Sequence, residues 1–129
     1  MLKCEFKTCV RTDNGNSITF NTVNGYAFKW KYPKKHFTGE EYVFYLGIYK
    51  INNKREYYIV DLNTGLSFTH NPIKAPREKA IQEFIHKLLS FNMITIDGFI
   101  STILLKSTPN NKQIIEQLIN TNSFYELNK

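Results

Sequence analysis

Three histidines, two cysteines and a handful of carboxylates are the groups in this chain that could move protons, attack a carbonyl or hold a metal. Nucleophilic catalysis needs a nucleophile, a base and an orienting group brought together. Here His36 falls in a loop, His70 at a strand end and His86 on a helix, one position off its apolar stripe. Cys4 and Cys9 lie five positions apart on one predicted strand and project to opposite faces, so they read as structural thiols and not as a bridge. Glu40 and Glu41 are adjacent, which points them to opposite sides of an extended chain and rules out a carboxylate dyad. Glu78 and Glu83 fall on the exposed side of a helix. The glycines are isolated, so no phosphate-cradling loop forms, and no His, Cys or acidic cluster has metal-ligand spacing. The expectation is a protein that is not an enzyme and carries no cofactor or metal.

Binding chemistry is better represented. Lys29, Lys31, Lys34, Lys35 and His36 crowd one strand face and the loop after it, and Lys50, Lys54 and Arg55 crowd a second turn. Trp30, Tyr45, Tyr49 and Tyr58 are the aromatics expected to centre a contact, with Lys29, Lys31, Lys34, Lys35 and Arg55 at its rim. Two readings compete. Tyr and Trp are favoured anchors in protein–protein contacts, where a lysine rim would suit an acidic site. Exposed aromatics beside lysines could instead stack on bases while the lysines neutralise phosphates, which makes a nucleic-acid-binding accessory protein the alternative. Lysine outnumbers arginine 14 to 3, which serves bidentate phosphate reading poorly and favours the first reading.

Composition bounds both. With 129 residues, 42% hydrophobic and 22% charged, the chain has the size and texture of a single globular domain that needs no disulfide to fold. The net charge of +6 favours anionic partners. No signal-like leader opens the sequence, and residues 93–105, the nearest approach to a membrane span, are interrupted by Asp97, Gly98 and Ser101. A cytoplasmic protein without a membrane partner is expected. The richness in Lys, Asn and Ile matches AT-rich codons and hence a low-GC bacterium or its phage.

The elements that must carry these residues divide the chain in two. Residues 3–70 read as an antiparallel sheet of five or six strands, and residues 76–127 as two or three helices packed on one face of it, giving a single α+β domain. Residues 3–10 alternate, and a turn follows at residues 13–16. Asn24-Gly25 is the strongest short hairpin signal, placing a turn between strands at 17–23 and 26–32. Tyr26, Phe28, Trp30 and Tyr32 share one face, and Ala27, Lys29 and Lys31 the other. Residues 41–51 are apolar on both faces, as suits a central strand. Residues 55–62 and 66–70 give two more strands.

A helix then starts near Pro76 with a stripe of Ala80, Ile81, Phe84, Ile85, Leu88 and Leu89. Asp97 could cap a second helix that turns Phe99, Ile100, Ile103 and Leu104 inward, and a short strand at 93–96 could precede it. Thr108 and Pro109 open a third with Ile114, Ile115, Leu118 and Ile119 inward, and residues 123–127 could add a last turn.

Residues 57–67 (YYIVDLNTGLS) followed by Arg77-Glu78-Lys79-Ala80-Ile81 form a strand–TG turn–strand–helix pattern. It resembles short accessory proteins of Firmicutes phages and mobile elements, and is loosely similar to the βββα core of HicB-type antitoxins. The resemblance covers about a quarter of the chain and no catalytic residue. It implies a non-enzymatic inhibitor of a host protein, anti-CRISPR-like in size and style, whose target would be a nucleic-acid-handling enzyme such as a defence nuclease.

Overall fold

The computed structural model describes residues 1–11, 18–35, 39–51, 53–69 and 71–127. The turn expected at 13–16, His36 and His70 lie outside the described residues. Five strands form one antiparallel sheet in sequence order: β1 (Leu2–Arg11), β2 (Ile18–Lys31), β3 (Val43–Lys50), β4 (Glu56–Asp61) and β5 (Ile73–Lys74). Three helices follow: α1 (Arg77–Ser90), α2 (Met93–Lys106) and α3 (Lys112–Ile119), the last preceded by a 3₁₀ turn at Pro109–Asn111. The α+β arrangement, a sheet followed by helices, is the one the sequence predicts.

β2 runs straight through Asn24-Gly25, so the expected hairpin there does not form. Gly25 pairs with Cys4 on one side and Tyr49 on the other. A Cβ added at Gly25 would lie 2.2 Å from the Ile48 carbonyl oxygen and 3.0 Å from the Phe6 ring. The glycine therefore serves close approach of neighbouring strands and not a positive φ. Gly47 on β3 does the same for the far side of the Phe6 ring, where an added Cβ would meet two ring carbons at 2.8 Å.

The expected strand at 66–70 is reduced to an isolated bridge between Val60 and Ser67. The Ser67 hydroxyl donates to the Thr69 carbonyl and accepts from the Thr69 N–H, a local turn that competes with a ladder. Pro72, which has no N–H, follows, and pairing with β4 resumes only at β5.

Side-chain parity along the strands builds two cores. Phe28, Trp30, Phe44, Leu46, Ile48 and Ile59 project to one face and meet Ala80, Ile81, Phe84, Ile85 and Leu88 of α1 with Ile96, Ile100 and Ile103 of α2. The opposite face carries Phe6, Ala27, Val60 and Leu62, and Leu118 of α3 closes over them. The sheet is thus covered on both sides, and only α1 and α2 occupy the single face expected for all the helices. Tandem apolar stripes encode that a helix packs, not which side of a sheet it reaches.

The chain turns by 114° between α1 and α2. The α2 cap is Asn92 and not Asp97: the Asn92 Oδ1 accepts from the Thr95 N–H at 2.9 Å, and 93–96 is the first turn of the helix instead of the alternative short strand. No single helix is long and apolar enough to cross a membrane among the described residues.

β1 has a free edge that would otherwise expose a row of backbone donors and acceptors. The sheet curls so that this edge reaches the turn after β4: the Cys9 N–H donates to the Gly65 carbonyl at 2.7 Å. Asn111, fully buried, completes the closure. Its Oδ1 accepts from Lys7 N–H at 2.7 Å, and its Nδ2 donates to the carbonyls of Lys7 and Leu62 at 2.9 and 3.0 Å. One side-chain amide thereby mimics a strand partner. Asn111→Ala leaves these backbone groups unpaired and is expected to cost about 2 kcal/mol, read as a lowered urea midpoint with unchanged slope.

Candidate functional site

Parity and packing divide the residues expected to form a contact surface. Trp30 is only 5% exposed: its ring stacks on Phe44 (centroids 5.9 Å, 28°) and meets Tyr32 edge-on, beneath α1 and α2. It belongs to the core, because the aromatic face of β2 is the face those helices cover. Lys29 projects to the other side and is also 5% exposed. Its ammonium donates to the Thr121 carbonyl at 2.7 Å and sits 4.3 Å from the Phe124 ring centre, so it ties down the segment after α3. Neither residue is available to a partner.

That segment replaces the helical turn expected at 123–127. It forms neither helix nor strand, and the Tyr125 N–H donates to the Lys29 carbonyl at 2.8 Å, along the stretch of β2 that lies beyond the end of its β1 pairing at Ala27. Side chains alternate around this edge. Phe124 covers Lys29 and Lys31 on one face, while Tyr125 packs on Phe28 and its hydroxyl donates to Glu78 of α1 on the other. No periodic signal in the sequence announces such a strap; its trace is only the Phe124-Tyr125 pair among polar neighbours.

The remaining residues fall into two groups. Lys31, Lys34 and Lys35 are exposed at the end of β2, and Lys31 is engaged by Glu41 at 3.2 Å. Arg55 is exposed beside the β3–β4 turn, at the other end of β3. An eight-residue strand separates them by roughly 23 Å at about 3.3 Å per residue, so one small contact does not span both groups.

The tyrosines choose between these ends. Tyr49 and Tyr58 are cross-strand partners and stack with centroids 5.7 Å apart at 23°. Phe6 meets Tyr49 edge-on at 6.1 Å, held in place by the space that Gly25 and Gly47 leave. Both tyrosines are half-buried, and the exposed Lys54 and Arg55 adjoin them in the turn. Burial and the neighbouring Tyr58 push the Tyr49 phenol up, so it stays neutral in ordinary buffers. Tyr45, also half-buried, lies two pleats back toward Lys29, its cross-strand partner. The candidate surface is therefore the β3–β4 hairpin end: a rigid Tyr49–Tyr58 pair with a cationic turn.

Groups with acid–base potential lie elsewhere. Asp61 is buried, and desolvation pushes its carboxyl up to about 6 despite hydrogen bonds to Oδ2 from the Thr64 N–H and hydroxyl. It is sealed from solvent and faces no nucleophile in those contacts. Burial also pushes the Cys4 thiol up, away from the reactive thiolate. Among the described residues no group of three His, Cys, Asp or Glu side chains is placed to hold a metal ion.

No protein-family model matches the chain, and neither curated proteins nor solved structures give a match.

Proposed function

We propose that this is a non-enzymatic binding protein that acts by covering a surface of another protein, with Tyr49 and Tyr58 as its anchor. The observation that carries this reading is the stacked pair, braced by Phe6 and flanked by Lys54 and Arg55. Paired, pre-ordered aromatics give large contact area at little conformational cost, which is the property of an interface hot spot. A net charge of +6 favours an acidic patch on the partner. The carboxylate cluster of a metal-dependent nuclease has that character, which accords with inhibition of a host defence enzyme by a phage or mobile-element product.

Two features weigh against nucleic acid as the partner. Tyr49 and Tyr58 already occupy each other's faces, leaving no gap for a base between them. Lys29 is consumed internally and Lys31 is paired with Glu41, so two of the expected phosphate-neutralising cations are engaged.

The test is affinity capture from a bacterial lysate with the full chain, alongside Tyr58→Ala, Arg55→Glu and a Lys34→Glu/Lys35→Glu double variant. A specific protein retained by the double variant and lost, at least tenfold, by the first two is the expected result. Recovery of nucleic acid alone, with salt-sensitive binding that falls in the double variant, would overturn the proposal in favour of a nucleic-acid accessory role.

A further inference from the structure

Leu104 and Leu105 depart furthest from what amphipathic packing demands. The buried phase of α2 is set by Ile96, Ile100 and Ile103, which leaves Leu104, expected inward, 67% exposed. On the side facing directly away from the core lie Ile94, Gly98, Ser101 and Leu105, at i, i+4, i+7 and i+11. Ile94 is 84% and Leu105 86% exposed. Nothing stands within 4 Å of a Cβ built on Gly98, so the stripe is open above its middle. No charged residue occupies it: α2 contains only Asp97, off the stripe, and Lys106 at its end.

The order of residues along the stripe is a palindrome. Large apolar residues stand at the two ends and the smallest residues at the centre, symmetric about the midpoint between Phe99 and Ile100. We propose that α2 is the contact by which two copies of this chain associate, antiparallel about a two-fold axis. Ile94 of each copy then lies over Leu105 of the other, and Gly98 faces Ser101 at the crossing. An isologous contact requires such self-complementarity, whereas a foreign helix does not. The small centre lets the helix axes approach to the short end of the usual 8–10 Å range, and the flanking Leu104 adds apolar area. With Ile94, Leu104 and Leu105 of both copies covered, the pair buries on the order of 1,000 Å² in total, the lower limit for a specific interface. A membrane surface fits less well, since interfacial helices carry several Lys and Arg beside their apolar stripe and this one has only Lys106, at its end.

The proposal is tested by sedimentation velocity on the full chain from about 1 to about 200 µM, which brackets dissociation constants on the order of micromolar and weaker. A monomer shifting to a dimer is expected, with Leu105→Glu and Gly98→Gln both remaining monomeric and keeping the parent circular dichroism. Gly98→Gln is the second variant because it sits in open space and removes no core contact. Geometry is read with Cys4→Ser/Cys9→Ser protein bearing either Ile94→Cys or Leu105→Cys. Mixing the two is expected to give a disulfide-linked dimer, with little from either alone. A monomer at every concentration, cross-linking of each variant only with itself, or flotation with neutral phosphatidylcholine vesicles that Leu105→Glu abolishes would each overturn it.

Discussion

Gly25→Ala is expected to destabilise the protein by at least about 3 kcal/mol, while Asn24→Thr at the preceding position is expected to change stability by less than about 0.5 kcal/mol. The contrast separates two roles for one dipeptide. In a tight hairpin both residues would need positive φ, and a β-branched replacement of Asn24 would be costly. In the observed strand Asn24 is exposed on a regular ladder, where threonine is favoured. Gly25 instead has the Ile48 carbonyl oxygen 2.2 Å from the position of its missing Cβ. That neighbour is backbone of the central strand and cannot rotate aside, so β2 or β3 must move, and Phe6 with it. Urea unfolding of the two variants, compared at constant slope, reads the difference directly. A costly Asn24→Thr would restore the hairpin.

Asp61→Asn is expected to remove most of the loss of stability that the parent suffers between pH 4 and pH 6. Folding raises the Asp61 carboxyl from its ordinary value to about 6, so the native state holds the proton more tightly than the unfolded chain. The sign follows. Below about pH 4 the group is protonated in both states and costs nothing; as pH rises through 6 the native state must bury a charge, and stability falls; above 6 it is level. A shift of about two units corresponds to about 3 kcal/mol. Asparagine keeps an acceptor for the Thr64 N–H and hydroxyl and has no charge to bury. The variant should match the parent at pH 4 and exceed it by up to that amount at pH 8. Parallel pH profiles for the two proteins would show that Asp61 is not the titrating group.

These cases show which physics the sequence exposes. The stripe from Ala80 to Leu88 was legible because a 3.6-residue period and Pro76 are local facts, and both hold in α1. The central position of β3 was legible because its residues are apolar on both faces, and both faces are covered. Asn24-Gly25 misleads because glycine's two uses, positive φ and absent Cβ, are the same letter; only the crossing of Ile48 and Phe6 tells them apart. Trp30 was misplaced for a related reason. Its face could be recognised, but whether helices or solvent would cover that face depends on the crossover after β5. The surface pair Tyr49–Tyr58 was half legible: the residue types were singled out, yet their register across a turn, and the distance separating Arg55 from Lys34, need the strands in place. Asn111 gave no signal at all, since a single amide 104 positions from its partner on β1 has no local pattern.

The bond from Asn111 to Lys7 also sets a clock. At about 5–20 residues per second of synthesis, the amide that closes β1 emerges roughly 5–20 s after the strand it completes. For that interval the outer edge of β1 has no native partner from Asn111, and loop closure over so long a span is slow even once the residue is present. The nascent chain therefore spends seconds with an adhesive strand on offer, and Asn111→Ala, which never supplies that partner, is expected to aggregate during expression as well as to lose equilibrium stability.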